Sequence, residues 1–156
     1  MLVYSPSMQR ICLPFKASLE KLGITMHIRL VSANTWIRSI REFDYDMTSY
    51  VWPATQYPGA EQKLFWHSSV AATPGSLNII GVKDSTIDAL VTVLTQSHSF
   101  DQTLATARKL DNALLQAYYT IPHWYLAAYR IAYWDDIHHP ATLPPYGIDL
   151  ACWWHQ

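Results

Sequence analysis

Hydrophobic and polar positions alternate along this chain with two different periods. A β-prone run, Leu2-Val3-Tyr4, is cut off by Ser5-Pro6-Ser7, after which Ile11, Phe15, Leu19 and Leu22 recur at helical spacing. Gln9, Lys16, Glu20 and Lys21 fall elsewhere on that helix, and Gly23 stands where a helix end favours a left-handed residue. Pro14 either kinks the helix or lies in the first turn of one whose regular part starts near Leu13. Strict alternation follows, with Ile24, Met26, Ile28 and Leu30 on one face and Thr25, His27 and Arg29 on the other. That is the pattern of a half-buried strand. Strand, helix and strand in this order predict a βαβ unit, a parallel pair joined by a right-handed crossover.

Further along, Asn34 is placed to cap a short helix over residues 35–41, with Trp36, Ile37 and Ile40 apolar. Phe43 and Asp44 turn the chain into a second β-forming stretch, 45–52, which stops at Pro53 because proline cannot donate to a central ladder. A loop carrying Tyr57, Pro58 and Gly59 leads to Phe65 and Trp66, and residues 68–82 read as a long surface loop containing Asn78. Asp84 or Ser85 then caps a helix with Ile87, Leu90, Val91 and Leu94 on its apolar face. A second helix, 101–118, carries Leu104, Ala107, Leu110, Leu114 and Tyr118 on one side. The two helices form an αα-hairpin able to cover a face of the sheet. Residues 121–126 and 130–134 are β-prone. The proline-containing tail after Asp135 reads as extended or loop-like, and its Trp153 and Trp154 need something to pack on.

With 156 residues the chain is long enough for one domain with a real core. Half of it is hydrophobic and only 15% charged, which excludes a disordered or solvated chain and suggests that part of its surface is normally covered. A net charge of −1 without any basic run gives no footprint for nucleic acid. Cys12 and Cys152 lie near opposite ends; two buried thiols or a disulfide are both open. Met1 leads straight into Leu2-Val3-Tyr4 with neither a basic nor a long apolar leader, which taken alone points to the cytoplasm.

The candidate chemistry is sparse. The seven histidines show no His-Glu-x-x-His pattern or Cys/His spacing for zinc, and neighbours His138 and His139 on an extended chain point opposite ways. Five glycines leave no phosphate loop or nucleophile elbow. Asp44 and Asp46, two apart on a strand, share a face; strand-end solvation explains them, and with a histidine they would make a small hydrolase the alternative reading. Neither a cofactor nor a metal is implied, and the chain does not read as an enzyme. Binding is the better expectation. Tyr50 and Trp52 share a strand face just before Pro53, and Trp66 and Asn78 follow in the next loops. Each aromatic could be core. As a cluster they suggest an apolar wall with a few polar groups, as a small-molecule or peptide cleft needs.

These residues sit in blocks that resemble a known family. The runs CLPFKASLEKLGITMHIRLV, WIRSIREFDYDMTSYVWP, PGSLNIIGVKDSTIDALV and IPHWYLAAYRIAYWD are similar to the C-terminal part of the family 5 extracellular solute-binding proteins. The branch they most resemble is the oligopeptide/microcin C type that serves ABC importers. The resemblance implies an α/β fold, the truncated second lobe of a type II periplasmic-binding-protein-like fold. It implies a partial ligand-binding lobe over residues 1–127 and a return segment towards a missing first lobe over 128–156. It further implies a peptide as ligand, ABC permease subunits as partners, a periplasmic parent protein and capture by closure of two lobes. Tyr50, Trp52, Trp66, Asn78 and Trp124 are the positions it places at the ligand, and Leu77 stands where that branch often carries arginine. A non-functional remnant of such a protein is the third reading.

Overall fold

The computed structural model describes residues 1–53, 57–122, 128–143 and 147–155. The chain divides into two compact units, Met1–Thr120 and Ile121–Gln156, of mixed helix and small sheet, α/β in character.

The first unit is built around its shortest element. Strand β1, Leu2–Val3, is almost wholly buried and pairs in parallel with β2, Arg29–Leu30, through helix α1, Pro6–Glu20. This is the expected βαβ unit. On the other side of β1, Thr48 bridges Leu2 in parallel and the Leu2 N–H donates to the Met47 carbonyl at 2.8 Å. β1 is therefore flanked on both sides, and its two residues limit the ladder that either neighbour can form. Both longer strands expected from the alternation are cut down for this reason. Residues 24–28 lead to β2 without laddering, and only Thr48 of the stretch 45–52 forms a bridge. Ser5 and Pro6 set the limit: proline's fixed φ starts α1 at once and its ring removes a ladder donor. The helix runs on through Pro14, so it begins at Pro6 rather than near Leu13. It buries Cys12, whereas Leu13 and Leu22 remain exposed.

Helix α2 is Ala33–Glu42. Its cap is Ser32, not Asn34, with the Ser32 hydroxyl accepting from the Thr35 N–H at 3.2 Å. It ends on Phe43 in the left-handed region (φ 58°), and Asp44 N–H reaches back to the Ser39 carbonyl at 2.9 Å. A phenylalanine there costs on the order of 1 kcal/mol relative to glycine. The reward is direction: the chain re-enters beside β1.

The three remaining helices of this unit are α3 (Glu61–Trp66), α4 (Ser85–Thr95) and α5 (Phe100–Gln116). Asp84 caps α4, its carboxylate accepting from Thr86 and Ile87, and Ser99 caps α5. Val82, Ile87, Val91, Leu94 and Leu110 make one buried cluster, against which Trp66 of α3 packs. The αα-hairpin is thus present, and α4 packs against α5 and α3. Ala107, Leu110 and Leu114 of α5 lie in or against that cluster as expected, but the rest of the face differs. Thr103, Thr106 and Leu110 are buried, while Leu104 is exposed and Tyr118, with φ 55°, is fully outside. Thr103 tolerates burial because its hydroxyl bonds the Ser99 carbonyl and the Ser97 hydroxyl.

In the second unit, β3 (Ile137–His138) pairs antiparallel with β4 (Trp154–His155), and Leu150–Cys152 forms a 3-10 turn. The tail, expected to be extended or loop-like, holds these two short strands and one turn. Residues 128–134 form no strand, and most of the β-prone stretch 121–126 lies outside the described residues. Trp153 packs on Tyr133 and His139 at ring-centroid distances of 5.0 and 4.7 Å. His138 instead faces Trp154 at 6.2 Å, so the adjacent histidines do point apart. Both cysteines are free thiols. Cys12 is buried, which raises its pKa, and Cys152 is exposed, where the Asp149 carboxylate does the same.

Because Ile87 is 1% exposed at the centre of the helical cluster, Ile87→Ala should cost about 2–4 kcal/mol in denaturant unfolding. Val93→Ala, on the exposed side of the same helix, should cost less than about 0.5 kcal/mol. Equal losses would contradict the helix orientation.

Candidate binding wall

Aromatic rings from four separate segments meet in one continuous row. Tyr4, just past β1, lies 4.8 Å from Trp36 of α2, centroid to centroid; Trp36 lies 6.1 Å from Tyr50. Tyr50 is 5.1 Å from Trp52, Trp52 is 4.9 Å from Trp66, and Trp66 is 6.2 Å from Phe65. Phe65, 3% exposed, anchors the row in the interior, and Tyr4, 49% exposed, is its outer end. The four rings between them are half-buried. Such offset and edge contacts each add about 0.5–1.5 kcal/mol beyond the area they bury. The row is therefore an assembled surface before anything binds to it.

Its indole N–H groups are already occupied. Trp36 donates to the Thr48 hydroxyl at 3.0 Å, and that hydroxyl donates to the Leu2 carbonyl at 2.9 Å. Trp66 donates to Gln62 at 2.9 Å, one helical turn earlier. Trp52 donates to the Leu77 carbonyl at 3.3 Å, a longer bond to the loop that follows. The indoles thus present faces rather than donors.

Loop 68–82 backs the row and is pinned from several directions. Asn78 is wholly buried. Its amide donates to the His67 and Val82 carbonyls and accepts from the Val82 N–H at 2.9 Å. Its polar atoms are all spent on the loop, so this residue stands behind the wall. The Tyr45 hydroxyl donates to the Ile79 carbonyl at 2.5 Å, and burial, helped by the neighbouring Tyr50, raises its pKa. At the start of the loop the Ser68 N–H donates to Asp88 of α4 at 2.8 Å, and the Ser68 hydroxyl makes a second short bond to the same carboxylate. Burial works against the charge on Asp88. The two Ser68 bonds and the nearby His67 outweigh it and hold the carboxyl below its ordinary value of 3.8.

The structure thus brings together Tyr50, Trp52 and Trp66, places Asn78 in their support, and adds Tyr4 and Trp36. Trp124 lies outside the described residues. In the sequence Tyr4 sits in the short first run and Trp36 falls on a helix's apolar face. No spacing links either to Tyr50; only the parallel bridge at Thr48 does so.

The carboxylate–histidine alternative gains no support from Asp44. That residue is exposed and reaches Arg29 loosely at 3.7 Å. Among the described residues two histidine–aspartate pairs occur: His67 with Asp88 at 3.8 Å, where Ser68 already holds the carboxylate, and His155 with Asp136 at 2.9 Å, exposed in the second unit, where Tyr133, Trp134, Asp135 and Asp136 also line an open hollow. Among the described residues no three histidine, cysteine or carboxylate groups could hold a metal, and no helix is long and apolar enough to cross a membrane.

No family model matches the chain. Individual proteins do. It is 39% identical over 154 residues to the probable peptide-binding protein YejA of Agrobacterium fabrum, covering 98% of this chain. The chain is a homologue of the YejA-type binding proteins. YejA of Escherichia coli is 34% identical over 92% of the chain, and the peptidoglycan-binding protein YepA of Agrobacterium fabrum 33% identical over 96%. The chain spans about a quarter of the length of these relatives. The two Agrobacterium fabrum relatives carry the names of binding proteins, in keeping with the solute-binding resemblance of the sequence, and the Escherichia coli relative is named only as an uncharacterized protein.

Two outcomes test this geometry. Thr48→Val keeps the shape of the side chain but leaves the Trp36 N–H and Leu2 carbonyl without their shared partner. It should cost about 1–3 kcal/mol, and less in a Trp36→Phe background, where only the Leu2 carbonyl is left without its partner. Equal costs in both backgrounds would contradict the lock. A depressed carboxylate stabilises the fold above its unfolded pKa and loses that contribution as pH falls through its folded pKa. Asp88→Asn should therefore be less stable than the native chain at pH 7. The gap between them should close as the pH is taken below 3.8, and a gap independent of pH would contradict the role of the charge.

Proposed function

We propose that this chain belongs to the solute-capturing part of an ABC importer, a periplasmic protein that closes two lobes over a peptide and passes it to membrane permease subunits. The row Tyr50, Trp52 and Trp66 is the observation that carries this reading, together with the names of the relatives, one for peptides and another for peptidoglycan. In it, residues 1–127 form a partial lobe of the type II periplasmic-binding-protein kind, and residues 128–156 return towards a first lobe encoded elsewhere in a longer protein. The aromatic faces accept many side chains at little ordering cost, since each ring is already held by its neighbours. Trp124 is a further candidate contact. Asn78 acts through the loop it supports. Ligand would shift the balance between open and closed lobes by binding the closed form better. Neither a cofactor nor nucleic acid has a part in this scheme.

One lobe offers only part of the contacts and none of the closure. This chain alone should bind tripeptides such as Ala-Phe-Ala with a Kd of about 1 mM or weaker, a level suited to NMR titration. Trp52→Ala should weaken that binding further. Calorimetry showing saturable binding at a Kd of about 1 μM or tighter would contradict the need for a second lobe.

A further inference from the structure

The polar groups along the aromatic row are not equivalent. The Trp36, Trp52 and Trp66 N–H groups are all engaged inside the protein, and so is the Tyr45 hydroxyl. Tyr4 and Tyr50 differ. Among the described residues neither phenol hydroxyl has a hydrogen-bond partner, although both rings are fixed by contact with Trp36 at 4.8 and 6.1 Å. We propose that the Tyr4 and Tyr50 hydroxyls are the hydrogen-bonding groups of this wall, donating to oxygen acceptors of a bound peptide while the indoles supply apolar faces only.

The physical case is one of cost. A ligand that recruited an indole N–H would first have to break an internal bond and leave the Thr48, Gln62 or Leu77 acceptor unpaired. A ligand that recruited Tyr4 or Tyr50 would displace only solvent. The rings need no ordering, because Trp36 lies against both and is itself tied through Thr48 to the buried strand β1. Phenols at an apolar wall suit carbonyl or carboxylate oxygens, the acceptors every peptide carries, and their side-chain-independent contact fits a site that tolerates varied sequences. Tyr4 thus becomes a contact residue at the end of the wall opposite Trp66. The inference rests on reading the row as a peptide wall.

NMR titration of the full chain with Ala-Ala-Ala, and separately with its C-terminal amide, tests it. Tyr4→Phe and Tyr50→Phe keep the rings and remove one hydroxyl each. Both should weaken binding about 3- to 10-fold, the loss of one hydrogen bond, with the indole N–H resonances of the free protein unmoved. Weakening seen with the acid alone assigns the acceptor to the terminal carboxylate, and weakening with both peptides assigns it to a backbone carbonyl; either result supports the proposal. If both phenylalanine variants bind like the native chain while Trp52→Ala binds worse, the phenol role is overturned and the wall stands. If Trp52→Ala also binds like the native chain, or no peptide-dependent shift occurs, the wall falls and the proposal with it.

Discussion

One hydroxyl group ties the first unit together. Thr48 lies beside Leu2 in the only bridge made by its stretch among the described residues, donates to the Leu2 carbonyl and accepts from the Trp36 indole. Three segments separated in sequence meet there: the buried strand β1, the helix α2 and the run that leads to Tyr50 and Trp52. Without that bond the carbonyl and the indole would each be left half-buried and unpaired, a cost comparable to a sizeable part of a small domain's stability. The aromatic row follows from it, because fixing Trp36 fixes the ring that joins Tyr4 to Tyr50.

A second set of constraints holds the far end. Phe65 is sunk beside Trp66, and Trp66 packs on the cluster formed by Val82 with helices α4 and α5. Asp88 draws the start of loop 68–82 onto α4, and Asn78 ties its end. The row is thus suspended between two packed regions of the same unit, one around β1 and one around the helices. A surface held at both ends can stay ordered while half exposed. Binding to such a surface loses little conformational entropy, which is why pre-assembled aromatic walls suit ligands of varied sequence.

Much of this was legible in the residues, and the failures have physical causes. The βαβ unit, the Asp84 cap and the inward face of α4 follow from local chemistry: period, a side-chain acceptor and a run of apolar residues. The strands came out too long because alternation reports what a segment is able to do, whereas Pro6 decides how much partner it has. Asn34 lost the cap of α2 to Ser32, whose hydroxyl sits three residues before the Thr35 N–H it accepts from. Tyr50, Trp52 and Trp66 follow from one strand face and the loop after it, whereas the burial of Asn78, whose amide closes that loop, has no local signal. Tyr4 and Trp36 had no local signal at all. Their place depends on a pairing between residues 2 and 48, which no short-range pattern encodes.

The central claim is that these rings are assembled in the free chain. Nuclear Overhauser contacts in the ligand-free protein test it most directly, read from the Trp36 ring to Tyr4 and Tyr50 and from the Trp52 ring to Tyr50 and Trp66. All four are expected, since the centroids lie between 4.8 and 6.1 Å apart. Trp36 without contact to either tyrosine, or Trp52 with solvent on both faces, would contradict it.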